Sequence, residues 1–226
     1  MTTYVLIPGA GGESSYWSLV AERLRASGDA VISPDLPADD PAAHLDDYVD
    51  VVVSAVNGGG DGAIVVGQSL GGFCAPLVAA RVGARRIDLV CPMIPSPGET
   101  AGDWWTTSGQ HEASRAADLD AGRDPDRPFD VNELFLHDVP REVLTGALGQ
   151  PPRDQSGTPM GDPWPLDAWP AVPTRVLAGR DDRLLPLDFV RALARERLGV
   201  EADVIACGHL PALAAPDALV DWLRRG

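Results

Sequence analysis

The stretch AIVVGQSLGGF, residues 63–73, changes character at its centre. Residues 63–67 are apolar without alternation, the pattern of a strand covered on both sheet faces. Phe73, Cys74, Leu77, Val78 and Val82 then recur on one face of a helix predicted from about residue 70 to 82. Between them Gly67-Gln68-Ser69-Leu70-Gly71 must turn from strand to helix in a few residues. A turn this tight brings the residues two before and two after its apex into close approach, which glycine tolerates for lack of a Cβ. The serine at the apex is held in a sparsely allowed backbone conformation, clear of the chain and near a helix N-terminus, where amides and the helix dipole favour developing negative charge. This is the sequence form of a nucleophile elbow. A glycine-rich turn with an incidental serine is the alternative, and strand before with helix after argues against it.

The surroundings repeat the same unit. TYVLIP (3–8), AVISPDLP (30–37), IDLVCP (87–92), TRVLAG (174–179) and ADVIACG (202–208) read as five further strands. Helical patterns lie between them at 17–28, 45–56, 187–199 and 216–225. Of these, 45–56 is the strongest, with Leu45, Tyr48, Val49, Val52, Val53 and Val56 on one stripe. NGGGDG (57–62) ends it. The expectation is an α/β fold: a mostly parallel six-stranded sheet, helices on both faces, right-handed crossovers. Residues 93–171 break the rhythm with Pro, Gly, Asp and Trp and only weak helices near 131–137 and 140–148. They read as a lid or cap insertion, with 1–92 and 172–226 forming the core.

Composition narrows the function classes. The 226 residues carry 18 arginines, no lysine and a formal charge of -15. An acidic surface repels phosphate backbones and anionic lipid, so neither nucleic acid nor membrane is an expected partner. No apolar run approaches the roughly 20 residues of a membrane helix, and the N-terminus reads as a first strand, not a signal peptide. Cys74, Cys91 and Cys207 have no metal-ligand spacing and read as buried free thiols of a cytoplasmic protein.

A serine hydroxyl needs a base. Of His44, His111, His137 and His209, only His209 follows a strand directly, in ACGHLPAL (206–213). Loops after strand C-termini meet at one edge of a parallel sheet, the edge that carries Ser69. The base needs an acid to fix its tautomer, and AGRDDRLLP (178–186) after the fifth strand offers two, Asp181 and Asp182.

With GQSLGG, GRDDRLLP, GHLPALAAP and the order Ser, Asp, His in hand, the chain resembles the α/β-hydrolase superfamily over nearly its whole length outside the insertion. LIPGAGGESSYWSLVAERL (6–24) and FLHDVPREV (135–143) look like the branch of plant methylesterases and hydroxynitrile lyases. The resemblance implies a compact member lacking the two usual N-terminal strands, with strand order 2-1-3-4-5-6. The family's G-x-x-D-x-x-x-P pattern falls on Gly179, Asp182 and Pro186 and so selects Asp182. The resemblance also assigns the oxyanion hole to the backbone N–H groups of Leu70 and Ala10, although the loop reads Pro8-Gly9-Ala10 where the family usually has His-Gly-x. A phosphate-binding reading of PGAGG lacks both G-x-G-x-x-G spacing and a lysine.

The implied activity is a serine hydrolase cleaving a small, uncharged or apolar carboxylic ester through an acyl-enzyme, with no cofactor and no metal. A thioester or lactone would use the same machinery. A lyase on this fold, or a ligand-binding protein that keeps the triad, is the alternative. The lyases of this branch use a lid lysine, which this chain lacks. Met93, Ile94, Trp104 and Trp105 are the expected pocket wall, with a small core of the insertion as the other reading of the tryptophan pair. Glu99 and Asp103 read as solvated loop residues.

Overall fold

The computed structural model describes residues 1–56, 60–146 and 153–225. Six strands form one sheet: β1 (Thr3–Ile7), β2 (Ala30–Ile32), β3 (Ile64–Gln68), β4 (Arg86–Val90), β5 (Thr174–Gly179) and β6 (Ala202–Ile205). Their order is β2-β1-β3-β4-β5-β6 and every pairing is parallel. All strand C-termini therefore lie along one edge.

Alternation along the strands feeds two separate cores. Val5, Ile7, Val65, Ile87, Leu89, Val176 and Ala178 point to one face. There they meet α2 (Leu45–Val56), α3 (Gly71–Val82) and α8 (Leu187–Leu198). Tyr4, Leu6, Ile64, Val66, Val90 and Leu177 point to the other, against α1 (Ser18–Ala26) and α10 (Pro216–Arg224). Helix ends follow the local chemistry. Gly83 and Gly199 close α3 and α8 in the left-handed conformation, and Pro216 opens α10 where no N–H is needed.

The edge strands are shorter than the sequence pattern predicts. β2 stops at Ile32, ahead of Pro34 and Pro37, which cannot donate to a ladder. β6 stops at Ile205, and the chain then bends through Gly208 into His209. A short helix, α9 (Pro211–Ala214), follows.

Between β4 and β5 lie α4 (Ala101–Thr107), α5 (Gln110–Asp120), α6 (Val131–Leu134) and α7 (Arg141–Gly146). The first two were not expected from periodicity. α6 and α7 fall where weak helices were predicted; residues 147 and 148 of that prediction, like 57–59 of the glycine turn, lie outside the described residues. No helix among the described residues is long and apolar enough to cross a membrane.

Candidate active site

Ser69 follows β3 directly and has φ 51°. Cys91, just after the neighbouring β4, has φ 42°; these are the only non-glycine residues of positive φ among those described. The two strained positions are tied together: Ser69 N donates to Val90 O at 3.1 Å, and Met93 N donates to Ser69 O at 3.0 Å. The flanking glycines have a steric reason. A Cβ at Gly67 would lie 2.5 Å from Gly71 O, and one at Gly72 would lie 2.0 Å from Met93 O. From the side of β1, Gly9 packs on the elbow so closely that a Cβ there would stand 3.0 Å from Ser69 Cβ.

Three side chains from three different loops meet at this point. His209 Nε2 lies 3.0 Å from Ser69 Oγ. His209 Nδ1 lies 2.8 Å from Asp182 Oδ2. Asp182 Oδ1 accepts from the N–H groups of Leu184 and Leu185, each at 2.9 Å. Both the imidazole and the carboxylate are shut off from solvent, with side-chain exposures of 0%. With its carboxylate fixed as an acceptor, Asp182 holds the proton of His209 on Nδ1, which leaves Nε2 able to receive one from Ser69. Asp181, by contrast, is 47% exposed and pairs with Arg180 on the surface.

Further contacts orient the histidine. Gln68 is buried and its Nε2 donates to His209 O at 3.1 Å. Phe135 meets the imidazole edge-to-face, with ring centroids 5.3 Å apart. Sequence reasoning passed over both, although Gln68 stands inside the elbow motif and Phe135 inside FLHDVPREV. Cys91, read from sequence as a buried free thiol and found buried, also lies beside this pair. Its Sγ, an Asp182 carboxylate oxygen and a His209 ring nitrogen lie within 4.8 Å of one another. Such a donor set has the composition of a soft-metal site. Burial, with the Asp182 charge beside it, raises the Cys91 thiol well above its ordinary pKa, and its Sγ donates to Gly208 O at 3.9 Å.

The amides named for the oxyanion hole sit on either side of the serine. Leu70 caps α3 at its N-terminus, and Ala10 is exposed in the loop after β1. Neither N–H donates a hydrogen bond among the described residues. The residues expected to wall a pocket divide. Met93 and Ile94 are buried, and Trp104 is fully buried, with Nε1 donating to Ile94 O at 3.0 Å and Phe189 5.7 Å away. These three belong to the core beside α3 and α8. Trp105 is half-buried and lines a cavity of about 370 Å³ together with Gln110, Leu134 and Leu184. A larger cavity, about 830 Å³, lies on the outer side of Asp182 between α5 and the start of α8.

Two other expectations for the insertion change. Glu99 is not solvated: its side chain is 7% exposed and paired with Arg197. Burial opposes its charge, but Arg197, Thr107 and the Ser96 N–H outweigh that and leave its carboxyl below the ordinary value. Asp103 is exposed, as read. The second change concerns residues 153–164, which form a strap bound to the core. Ser156 N donates to Ala38 O at 2.7 Å, Thr158 Oγ1 to Pro41 O at 2.7 Å, and Trp164 Nε1 to Phe73 O at 3.1 Å. Asp162 accepts from Leu45 N at 2.7 Å and lies 2.9 Å from His44 Nδ1.

That last contact is pH-sensitive. The hydrogen bond to Asp162, and its charge, raise the pKa of His44 above 6.5. A raised folded-state pKa means that the stabilisation is complete below the unfolded value and is lost as pH rises through the folded one. The gap in Tm between the wild type and His44→Ala is therefore expected to be wider at about pH 5.5 than at about pH 8.5. Equal gaps at the two pH values would refute the linkage.

Comparison with known proteins agrees with this fold. A family model described as the alpha/beta hydrolase family matches residues 4–222. The chain belongs to the α/β-hydrolase family. Solved hydrolases share its fold at low identity. A pyrethroid hydrolase from Sphingobium faniae is 22% identical, with TM-score 0.75 over 98% of this chain and 95% of that one. An extracellular α/β-hydrolase from a Paenibacillus species is 20% identical, with TM-score 0.77 over 99% and 98%. A methylesterase from Arabidopsis is 18% identical, with TM-score 0.75 over 99% and 97%. None of the curated protein sequences compared with the chain matches it.

Proposed function

We propose that this α/β-hydrolase is a serine esterase that cleaves a small, uncharged or apolar carboxylic ester through an acyl-enzyme. The observation that carries the proposal is the relay from Ser69 Oγ to His209 Nε2, 3.0 Å, and from His209 Nδ1 to Asp182 Oδ2, 2.8 Å. Ser69 attacks the ester carbonyl as His209 takes its proton. Asp182 balances the imidazolium. The N–H groups of Ala10 and Leu70 receive the charge that builds on the carbonyl oxygen; one such donor is typically worth about 3 kcal/mol of barrier. His209 then protonates the departing alkoxide, and a water activated by the same imidazole releases the acid.

Several features support a neutral ester. The formal charge of -15 disfavours anionic substrates. Phe135 and the half-buried Trp105 offer apolar surface on the insertion side. The neighbours include proteins named pyrethroid hydrolase, methylesterase and polyneuridine aldehyde esterase. Residues 93–171 act in this reading as the cap that selects among esters. The three cysteines are buried and unpaired, which supports a reducing, cytoplasmic setting.

A fluorophosphonate label followed by a p-nitrophenyl ester series of increasing acyl length tests the reading. The expected result is one adduct per chain, mapped to Ser69, with ester turnover lost in step with labelling. An adduct on another residue, or no turnover of any ester in the series, would refute it.

A further inference from the structure

The loop after β1 must present one amide accurately, and it is built from residues that resist little. Gly11 and Gly12 both have positive φ, 84° and 65°, and the loop starts with a proline that donates nothing. Its order comes from three hydrogen bonds. Gly12 N donates to Gly9 O at 3.1 Å and Leu36 N to Gly12 O at 2.8 Å. Gly11 N donates to Oε1 of Gln155 at 3.2 Å, across 144 residues of chain.

These bonds hold two consecutive peptide planes. The Gly9 carbonyl and the Ala10 N–H share one plane and point opposite ways. Drawing Gly9 O into the loop turns Ala10 N–H out of it. The next plane, Ala10 to Gly11, is held only through the Gly11 N–H, and its partner is the Gln155 side chain.

Gln155 is itself fixed at its other end. Nε2 donates to Ser156 O and to Tyr48 Oη, each at 3.0 Å. A carbonyl accepts only, so the amide nitrogen must face Ser156 and the amide oxygen must face Gly11. Both anchors are immobile: Tyr48 is buried on α2, and Ser156 N donates to Ala38 O. On this side Gly11 also packs close to the strap, where a Cβ would stand 3.2 Å from Arg153 O.

We propose that Gln155 is a positioning residue for acyl transfer: by fixing the Ala10–Gly11 peptide it limits rotation about Ala10 and so steadies the adjoining plane, whose Ala10 N–H faces the forming oxyanion. The strap from the insertion thus supplies a brace that the loop's own sequence does not. The inference rests on Ser69, His209 and Asp182 being an acyl-transfer site.

The test compares Gln155→Ala, Gln155→Glu and Thr158→Ala with the wild type, using p-nitrophenyl butyrate turnover and the rate of fluorophosphonate labelling at Ser69. Removing an entire oxyanion donor costs 10²–10³ in kcat, so loosening one should cost roughly 10- to 30-fold. Gln155→Ala is expected to lose that much kcat with KM changed by less than about twofold, the mark of an interaction made in the transition state. Labelling should slow in parallel. Gln155→Glu keeps an acceptor for Gly11, and Tyr48 can donate to its second oxygen, but that oxygen then faces Ser156 O without a proton to donate, so its loss should be smaller than that of Gln155→Ala.

Thr158→Ala removes a strap contact that does not reach the loop. It should lower Tm and leave kcat unchanged. Wild-type kcat in Gln155→Ala, or an equal loss in Thr158→Ala, overturns the positioning role while leaving the esterase reading intact. A wild type that neither labels at Ser69 nor turns over overturns both.

Discussion

Asp182→Asn is expected to lower kcat/KM by about 10⁴, or about 5.4 kcal/mol of transition-state stabilisation, while Asp181→Asn stays within a few-fold of wild type. The size follows from the hydrogen bonds around the carboxylate. One oxygen faces two N–H donors, Leu184 and Leu185, and the other faces His209 Nδ1. An asparagine there has one oxygen and one NH₂. The NH₂ cannot face two donors, so it must turn to His209 and donate to Nδ1. The imidazole then carries its proton on Nε2, directed at Ser69 Oγ, and can no longer accept the serine proton. The residue is buried and isosteric, so the fold should survive; circular dichroism and Tm check this alongside kcat/KM. Asp181 lies outside this network, half-exposed beside Arg180. A larger loss in Asp181→Asn than in Asp182→Asn would reassign the acid.

The second large effect is on stability and lies inside the sheet, along β4 and β5. Asp88, in the middle of β4, is fully buried. Its carboxylate is 3.0 Å from Arg86 Nη2 and 2.8 Å from Arg175 Nη2. The same guanidinium groups donate to the carbonyls that end α10: Arg86 to Leu223 O at 2.7 Å, Arg175 to Trp222 O at 3.2 Å and to Arg225 O at 2.6 Å. Arg175 also lies over the Trp222 ring, 4.2 Å from its centroid. Asp88→Ala removes the carboxylate that lies against both guanidinium groups, one nearly buried and one a quarter exposed, and leaves the two like charges on neighbouring strands without it. Breaking a buried pair in this way costs about 3–5 kcal/mol, which for a chain of this size is a fall in Tm of roughly 10 °C. Because the hydrogen bonds of Asp88 run to Arg86 and Arg175 and to none of Ser69, His209 and Asp182, kcat of the folded fraction should be unchanged. A drop in Tm below about 3 °C would mean that the two arginines find other partners.

The parts of this molecule legible in sequence are those whose contacts are local or periodic. α2 buries Leu45, Tyr48, Val49, Val52 and Val56 on one stripe, and that stripe is visible in the residues themselves. The elbow is visible because the steric demand of Ser69 falls on neighbours two positions away. α5 was missed because the residues it buries are Gln110 and Asp118, not an apolar set. Asp118 is held by Arg123 and Arg127, and Gln110 Nε2 donates to Leu184 O at 2.6 Å, across 74 residues. Glu99 was misjudged for the same reason, its partner Arg197 lying 98 residues away. Met93 and Ile94 were expected to wall a pocket, and Trp104 either to do so or to join a core of the insertion, because apolar residues look alike in sequence whether they face a ligand or a helix. Here α3 and α8 cover them.

The strap of residues 153–164 bears on any attempt to reduce this protein to a minimal catalyst. An excision from 93 to 171 would seem to delete only an accessory. It would also strip Gly11, Ala38, Pro41 and Leu45 of their partners, all of them in the first quarter of the chain. It would uncover Phe73 O inside α3 as well. The dispensable portion must end before residue 153. The return leg is hydrogen-bonded to the loops and helices of the sheet, though the strand count assigns it to the insertion.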